Sequence, residues 1–327
     1  MSQRSAILEY LGDDWTRTEE LISSSLSSDI SLLNATNGSI LSHSGKKLRP
    51  LLTLLMARAC GGGVVTPDSI KFAAAVELLH NATLLHDDVA DGSEVRRGVP
   101  TVASLLGNTP SVLVGDFWLV KAVETVLSAE RHSAEVTRHF SCTLSNLAEG
   151  EMFQLEKAST GDTSVDDYMR IIYAKTASLF EAACVSAAIS VDAPKEMEAA
   201  AKLYAVNLGL AFQIKDDILD YEGQDIGKPV GQDIRERKIT MPLLGAIHNA
   251  SGEEGVRARA LVCGVEEHPQ NVGKILDFVR SNGGIGYATD RLHELCGEAI
   301  KALDAIPDGQ AKEYLKELAI FTADRSR

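Results

Sequence analysis

Two short acidic runs, DDVAD at 87–91 and DDILD at 216–220, hold the residue types best suited to chemistry in this sequence. On a helix, Asp87 and Asp91 stand four residues apart and share a face, with Asp88 about 100° around the axis. His80 lies two turns before Asp87 on the same stripe. In the second run Gln213, Asp216, Asp217 and Asp220 follow the i, i+3, i+4, i+7 rhythm of one polar stripe. Carboxylates gathered in apolar surroundings repel one another unless a cation compensates them. Either run alone reads as a solvated helix end. Two such runs, each late in an apolar helix, read instead as two carboxylate stripes facing each other around a hard cation. Oxygen donors without cysteine suit Mg²⁺ better than zinc, with water and substrate phosphate completing the shell.

The elements that must carry these acids read as helices throughout, with no convincing strand. Thr66-Pro67-Asp68 supplies a cap, a first-turn proline and an acid at the positive end of the dipole. A helical pattern then runs through Ala73, Val76, Leu79, Ala82 and Leu85 to about Ala90, and Gly92 and the Arg96–Pro100 stretch end it. Leu208, Leu210, Phe212, Ile214 and Leu219 surround the second run with apolar side chains. Further helices are expected near 45–60, 110–129, 133–157, 165–190 and 195–221. Several more follow residue 240, separated by Gly252–Gly255, His268-Pro269 and Asn282–Gly286. The segment EGQDIGKPVGQDIRERKIT at 222–240 is rich in glycine and charge and reads as a functional loop, a candidate lid. The expected organisation is a single all-α domain over 1–327.

The chain has 327 residues, a formal net charge of −14 and 45% hydrophobic content. Such acidity excludes a nucleic-acid-binding surface, which needs a basic footprint. It also means that an anionic substrate must be met by local cations or metal ions. Five scattered cysteines with no CxxC point to free thiols in a reducing compartment. The opening MSQRSAILEYLGDDW lacks the basic flank and apolar stretch of a secretory signal, and no uninterrupted apolar run reaches the length of a membrane span. A cytoplasmic protein is expected. Local cations are present: Lys46, Lys47 and Arg49 in GKKLRP, Arg96-Arg97 after the first acidic run, Lys175 in a helix, and Lys228 and Lys238 in the 222–240 loop. Singly each is ordinary surface charge. Together with the aspartates they suit diphosphate, arginine by bidentate contact and lysine as a point charge.

In order along the chain, GKKLRP, LLHDDVADGSEVRRG, YAKTASLF, GLAFQIKDDILD and GKPVGQDIRERKITMPLL resemble the blocks of the trans-isoprenyl diphosphate synthases, or polyprenyl synthetases. The resemblance spans about residues 40–245 and is most like the long-chain octaprenyl-type synthases. It implies an isoprenoid-synthase-type helical bundle around a deep central cavity, normally a homodimer. By resemblance, Asp87, Asp91 and Asp216 would bind several Mg²⁺ ions, with Asp88, Asp217 and Asp220 in support. Arg96, Lys175, Thr176, Gln213, Lys228 and Lys238 would hold an allylic diphosphate. Lys46, Arg49, His80 and Arg97 would hold isopentenyl diphosphate, with Phe212 packed on its isopentenyl group. Ionisation of the allylic C–O bond, attack by the isopentenyl double bond and loss of a proton to diphosphate would follow, in a cavity that excludes water.

The resemblance also bears on product length. The residues four and five before Asp87 are Thr83 and Ala82, both small, where short-chain relatives often carry an aromatic; the first run also lacks their two-residue insertion. Both features lean toward a long-chain product, and Ala82→Phe is expected to shorten it. Ala82 and Thr83 could equally pack on a neighbouring helix, with Leu144, Leu147, Phe117 or Trp118 as the tunnel floor. Transient membrane contact for product release is compatible with such a product. Four other readings compete: a short-chain farnesyl or geranylgeranyl synthase, a phosphohydrolase built on the His86-Asp87 pair, a terpene cyclase, and a non-catalytic subunit of a heteromeric synthase. The hydrolase leaves DDILD and GKKLRP unexplained. Cyclases carry a different second metal motif, and non-catalytic subunits lose aspartates that are complete here.

Overall fold

The computed structural model describes residues 3–222 and 230–325. Its N-terminal helices are α1 (Gln3–Leu11), α2 (Asp13–Ser25), α3 (Ser31–Ser42), α4 (Leu48–Cys60) and the long α5 (Pro67–Ala90). A small hairpin follows, β1 (Val95–Arg96) and β2 (Val99–Pro100), with Val95 opposite Pro100 and Arg96 opposite Val99. Next come α6 (Val102–Leu106), α7 (Asn108–Leu127), α8 (Ser133–Thr160) and α9 (Val165–Ile172). A π-turn over Tyr173–Ala177 leads into α10 (Ser178–Ser190), then α11 (Lys195–Glu222). The remainder is α12 (Gln232–Arg235), α13 (Met241–Asn249), α14 (Gly252–Cys263), α15 (Asn271–Ser281), α16 (Gly284–Ala302) and α17 (Gln310–Asp324).

The all-α expectation holds, with local corrections. The hairpin is strand where none was expected, because Arg97 and Gly98 both take positive φ (54° and 80°), the geometry that closes a two-residue hairpin. Gly252–Gly255 does not separate helices. It forms the first turn of α14, which Ser251 and Glu254 close with a reciprocal capping box. Gly284 and Gly286 likewise open α16. The 222–240 segment contains the short α12 among its described residues. The start of α5 is as read: the Thr66 hydroxyl accepts from Ser69 N at 3.0 Å, the Ser69 hydroxyl accepts from Thr66 N at 3.1 Å, and Pro67 sits at the first helical position.

The chain forms two compact units, each assembled from separate stretches. The first comprises Met1–Ser141, Ala182–Lys202 and Ala305–Leu315. Its core lies where α5 packs on α2, α4 and α7, with Leu52, Leu55, Phe72, Val76, Leu79 and Trp118 all buried. Each such side chain contributes about 1.5–3 kcal/mol of apolar burial. Trp118 Nε1 donates to Asn37 Oδ1 at 2.8 Å, which makes it a fixed core residue. The second unit comprises Cys142–Glu181, Leu203–Asp304 and Lys316–Arg327. Its core joins Tyr168 and Ile172 to Ile214, Ile218, Leu243, Ile275 and Leu292.

The segment Val165–Ser190 is long and apolar enough to cross a bilayer, but 89% of its most apolar window is buried inside the protein. All five cysteines are free: Cys184 and Cys296 are buried, Cys60 is half-buried, and Cys142 and Cys263 are exposed.

Candidate active site

In the first unit the acidic run occupies the last turn of α5, with Asp91 as its C-cap residue. Asp88 is buried and accepts from Arg96 Nε at 2.6 Å, so the hairpin arginine fixes its direction. Asp87 is half-buried and Asp91 exposed. A second group of predicted residues meets one turn and more upstream. Burial, together with the positive charges of Arg49, Arg97 and Arg96, holds the His80 imidazole well below its ordinary pKa, so it stays neutral at physiological pH. Beside it the buried Glu77 carboxyl is pushed up by burial, an effect that Arg49, Asn81, Lys47 and Arg97 oppose. Asn81 Nδ2 donates to Glu77 Oε1 at 3.2 Å. Gly45 lies directly under the Arg97 guanidinium; a Cβ there would stand 2.6 Å from its Cζ. The GKKLRP stretch and the paired arginines therefore lie close to one another around His80. Lys46 is exposed, and its carbonyl accepts from Arg4 Nε at 3.4 Å.

Ala82 and Thr83 part company. Ala82 is 1% exposed and sits one turn before His86, whose Nε2 lies 3.2 Å from Asp116 Oδ1 on α7. Thr83 is half-buried one turn before Asp87, its hydroxyl donating to the His80 carbonyl at 2.8 Å. The His86 ring lies against Gly115 and Asp116 of α7.

In the second unit the acidic run lies near the end of α11. Asp217 is buried, and both its oxygens are engaged: Tyr168 Oη donates at 2.6 Å and Gln213 Nε2 at 2.8 Å. Gln213 Oε1 in turn accepts from Thr176 Oγ1 at 2.8 Å. Burial and the nearby charge of Asp233 push the Asp217 carboxyl well above the usual carboxylate range, despite those two donors. Asp220 caps α12, accepting from Gln232 N at 3.0 Å and Asp233 N at 3.1 Å, and so ties the described end of the 222–240 segment to α11. Asp216 meets Arg325 Nη2 at 2.5 Å. Arg325 also lies over the Phe212 ring, 3.9 Å from its centroid, and Phe180 stands 5.6 Å from Phe212 on centroids.

Lys175 and Thr176 come from the π-turn, whose wider winding inserts a residue into the α9–α10 run. The turn is flanked by two glycines: a Cβ on Gly150 would fall 2.5 Å from Ala174 Cβ, and one on Gly209 would fall 2.6 Å from Ala177 Cα. Lys175 pairs with Glu151 and donates to Gln154 Oε1 at 3.2 Å. Lys238 pairs with Glu236, and its backbone N–H reaches the Asp233 carbonyl at 2.8 Å. Lys228 lies outside the described residues. Tyr168, Arg325 and Glu77 are the partners that sequence reading missed. Tyr168 has a weak signal, seven residues before Lys175 in the same apolar stretch, and Arg325 has none.

The donor set fits a hard divalent cation. Asp216, Asp217 and Asp233 gather three carboxyls in one place, and the charges of Asp233 and Asp216 add to burial in pushing the Asp217 carboxyl up. Among the described residues no three His, Cys, Asp or Glu side chains form a metal cage. An ion that takes one or two carboxylates and completes its shell with water and phosphate needs none.

A model of the polyprenyl synthetase family matches residues 30–279. The chain is 37% identical to an octaprenyl diphosphate synthase of Escherichia coli (strain K12) over 326 residues, 98% of each chain. A polyprenyl synthase from Caulobacter crescentus CB15, solved in complex with calcium and isoprenyl diphosphate, is 35% identical and aligns with a TM-score of 0.90 over 99% of this chain and 98% of that one. A decaprenyl diphosphate synthase from Rhodobacter capsulatus aligns at 0.91 with 35% identity over 99% of each chain.

Proposed function

The chain belongs to the polyprenyl synthetase family, and from that premise we propose that it condenses farnesyl or geranylgeranyl diphosphate with isopentenyl diphosphate to build a long-chain all-trans polyprenyl diphosphate. The observation that carries this reading is the division among the acids. Asp88, Asp217 and Asp220 are tied into the protein by Arg96, by Tyr168 and Gln213, and by the α12 backbone, while Asp216 holds a cationic partner. Asp87, Asp91 and Asp216 are the metal ligands in this reading, for several Mg²⁺ ions. When bound, Mg²⁺ supplies the charge that stabilises the departing diphosphate.

The chain's own residues do the rest. Arg96, Lys175, Thr176, Gln213, Lys238 and Lys228 hold the allylic diphosphate, whose C–O bond breaks with the electron pair leaving on oxygen. Lys46, Arg49 and Arg97 hold isopentenyl diphosphate, and His80, kept neutral by burial and by its arginine neighbours, donates one hydrogen bond to it. Phe212 packs on the isopentenyl group, directing its double bond at the allylic carbon. The proton then lost restores the alkene and passes to the released diphosphate.

The family model runs through both compact units, which supports reading 1–327 as one functional domain. Leu113, Val120 and Leu127 recur every seven residues on α7 and are 62%, 53% and 57% exposed, which supports a homodimer buried along that stripe. The compartment that fits free thiols is the cytoplasm.

Purified protein incubated with farnesyl diphosphate, labelled isopentenyl diphosphate and Mg²⁺ is expected to yield long polyprenols after dephosphorylation. No extension with any allylic primer removes the assignment. Phenylalanine at Ala82 or Thr83 is expected to shorten those products. Ala82→Phe should also lower stability by about 1–3 kcal/mol, because that position is already filled. Chromatography and thermal melting read the two effects separately.

A further inference from the structure

We propose that Arg325 is the resident counter-ion of the second aspartate run, a side-chain cation that a divalent metal ion must displace from Asp216. The inference rests on the metal role of Asp216 stated above. Arg325 follows the end of α17, more than a hundred positions from Asp216 in sequence. Its side chain is 9% exposed, an unusual degree of burial for arginine, whereas Asp216 is 42% exposed and open to an incoming ion. From Nη2 it donates to Asp216 Oδ1 at 2.5 Å and to the Phe212 carbonyl at 2.9 Å. Its Nε is buried and has no hydrogen-bond partner among the described residues.

A guanidinium is a five-donor group, and a buried donor left unsatisfied is costly. The geometry is that of a placeholder. The stack on Phe212, its carbonyl and one carboxylate hold the side chain, while the buried Nε is matched by no acceptor among the described residues. A metal ion on Asp216 would set a second positive charge within a few ångströms of the guanidinium, whose own burial limits how far solvent can screen the repulsion. The two cations therefore exclude each other. Metal entry releases the end of α17, and loss of the metal lets Arg325 return and neutralise the acids. Arg325 thereby sets the metal affinity of the second run and keeps it charge-balanced when no substrate is bound.

The test is a Mn²⁺ titration of the full chain followed by electron paramagnetic resonance, with inorganic diphosphate present. Arg325→Gln is expected to bind Mn²⁺ about tenfold more tightly than wild type, the scale of one charge-assisted contact removed from competition. In an Asp216→Asn background the same change should make no difference. Equal or weaker binding by Arg325→Gln overturns the inference. If that variant does not fold, amide exchange in the wild type decides: adding Mn²⁺ and diphosphate must raise exchange in the last turn of α17, and no rise overturns the inference. Wild-type protein that binds no Mn²⁺ removes the metal reading and this inference together. Wild-type binding that Arg325→Gln leaves unaltered removes this inference alone.

Discussion

Asp217 is fixed by Tyr168 at 2.6 Å on one oxygen and by Gln213 at 2.8 Å on the other. Tyr168→Phe takes away one donor and leaves a buried carboxyl half satisfied, which should cost about 1–3 kcal/mol of stability in urea denaturation. The variant should also lose about tenfold in kcat with a smaller change in KM, as expected when a supporting group is left loose. Steady-state kinetics with isopentenyl diphosphate varied checks the split. His80 makes a pH prediction. Its folded pKa is depressed below the ordinary value, so the unfolded chain takes the proton first, and the associated stability is complete above about pH 6.5 and lost as pH falls. Melting temperatures measured from pH 8 down to pH 5 should decline less steeply in His80→Gln than in wild type. At this scale the aspartates, Arg49, His80 and the paired arginines were legible, because residue type and helical spacing suffice to nominate them. Tyr168 and Arg325 were not, because their roles arise from contacts 49 and 109 residues away in sequence.

The π-turn shows why an element can be found by its pattern and still be misdrawn. A run of apolar residues from 165 to 190 reads as one helix, and one inserted residue hardly disturbs that rhythm. What marks the turn is the pair of glycines on other helices, Gly150 of α8 and Gly209 of α11, which admit the widened backbone at Ala174 and Ala177. Gly209→Ala forces a methyl group against the Ala177 backbone and should cost about 1–3 kcal/mol by overpacking. Because Thr176 and Lys175 ride on the displaced turn, turnover should fall more than thermal stability predicts. A control such as Gly273→Ala, in open space on α15, should leave turnover unchanged and raise stability by up to about 1 kcal/mol. The hairpin after α5 was missed for a similar reason. Arg97 adopts a positive φ that its residue type does not advertise, and only Gly98 hints at it.

For the molecule as a whole, the helical class and the two acidic runs were legible, while the partition into two discontinuous units was not, since it depends on which distant stretches pack together. The apolar stripe on α7 gives a test of assembly. Val120→Glu should place a charge in the proposed interface and shift the protein from dimer toward monomer in light scattering. An unchanged mass would move the interface elsewhere. The cysteines carry a different consequence. Burial raises the Cys60 thiol to about 12 and the Cys296 thiol to about 11, and pushes Cys184 higher still. At neutral pH the thiolate of Cys60 is then only about one part in 10⁵, so peroxide and alkylating agents find almost no nucleophile there. Oxidative damage is steered to Cys142 and Cys263 at the surface, where a sulfenic acid can be reduced again before it harms the packing.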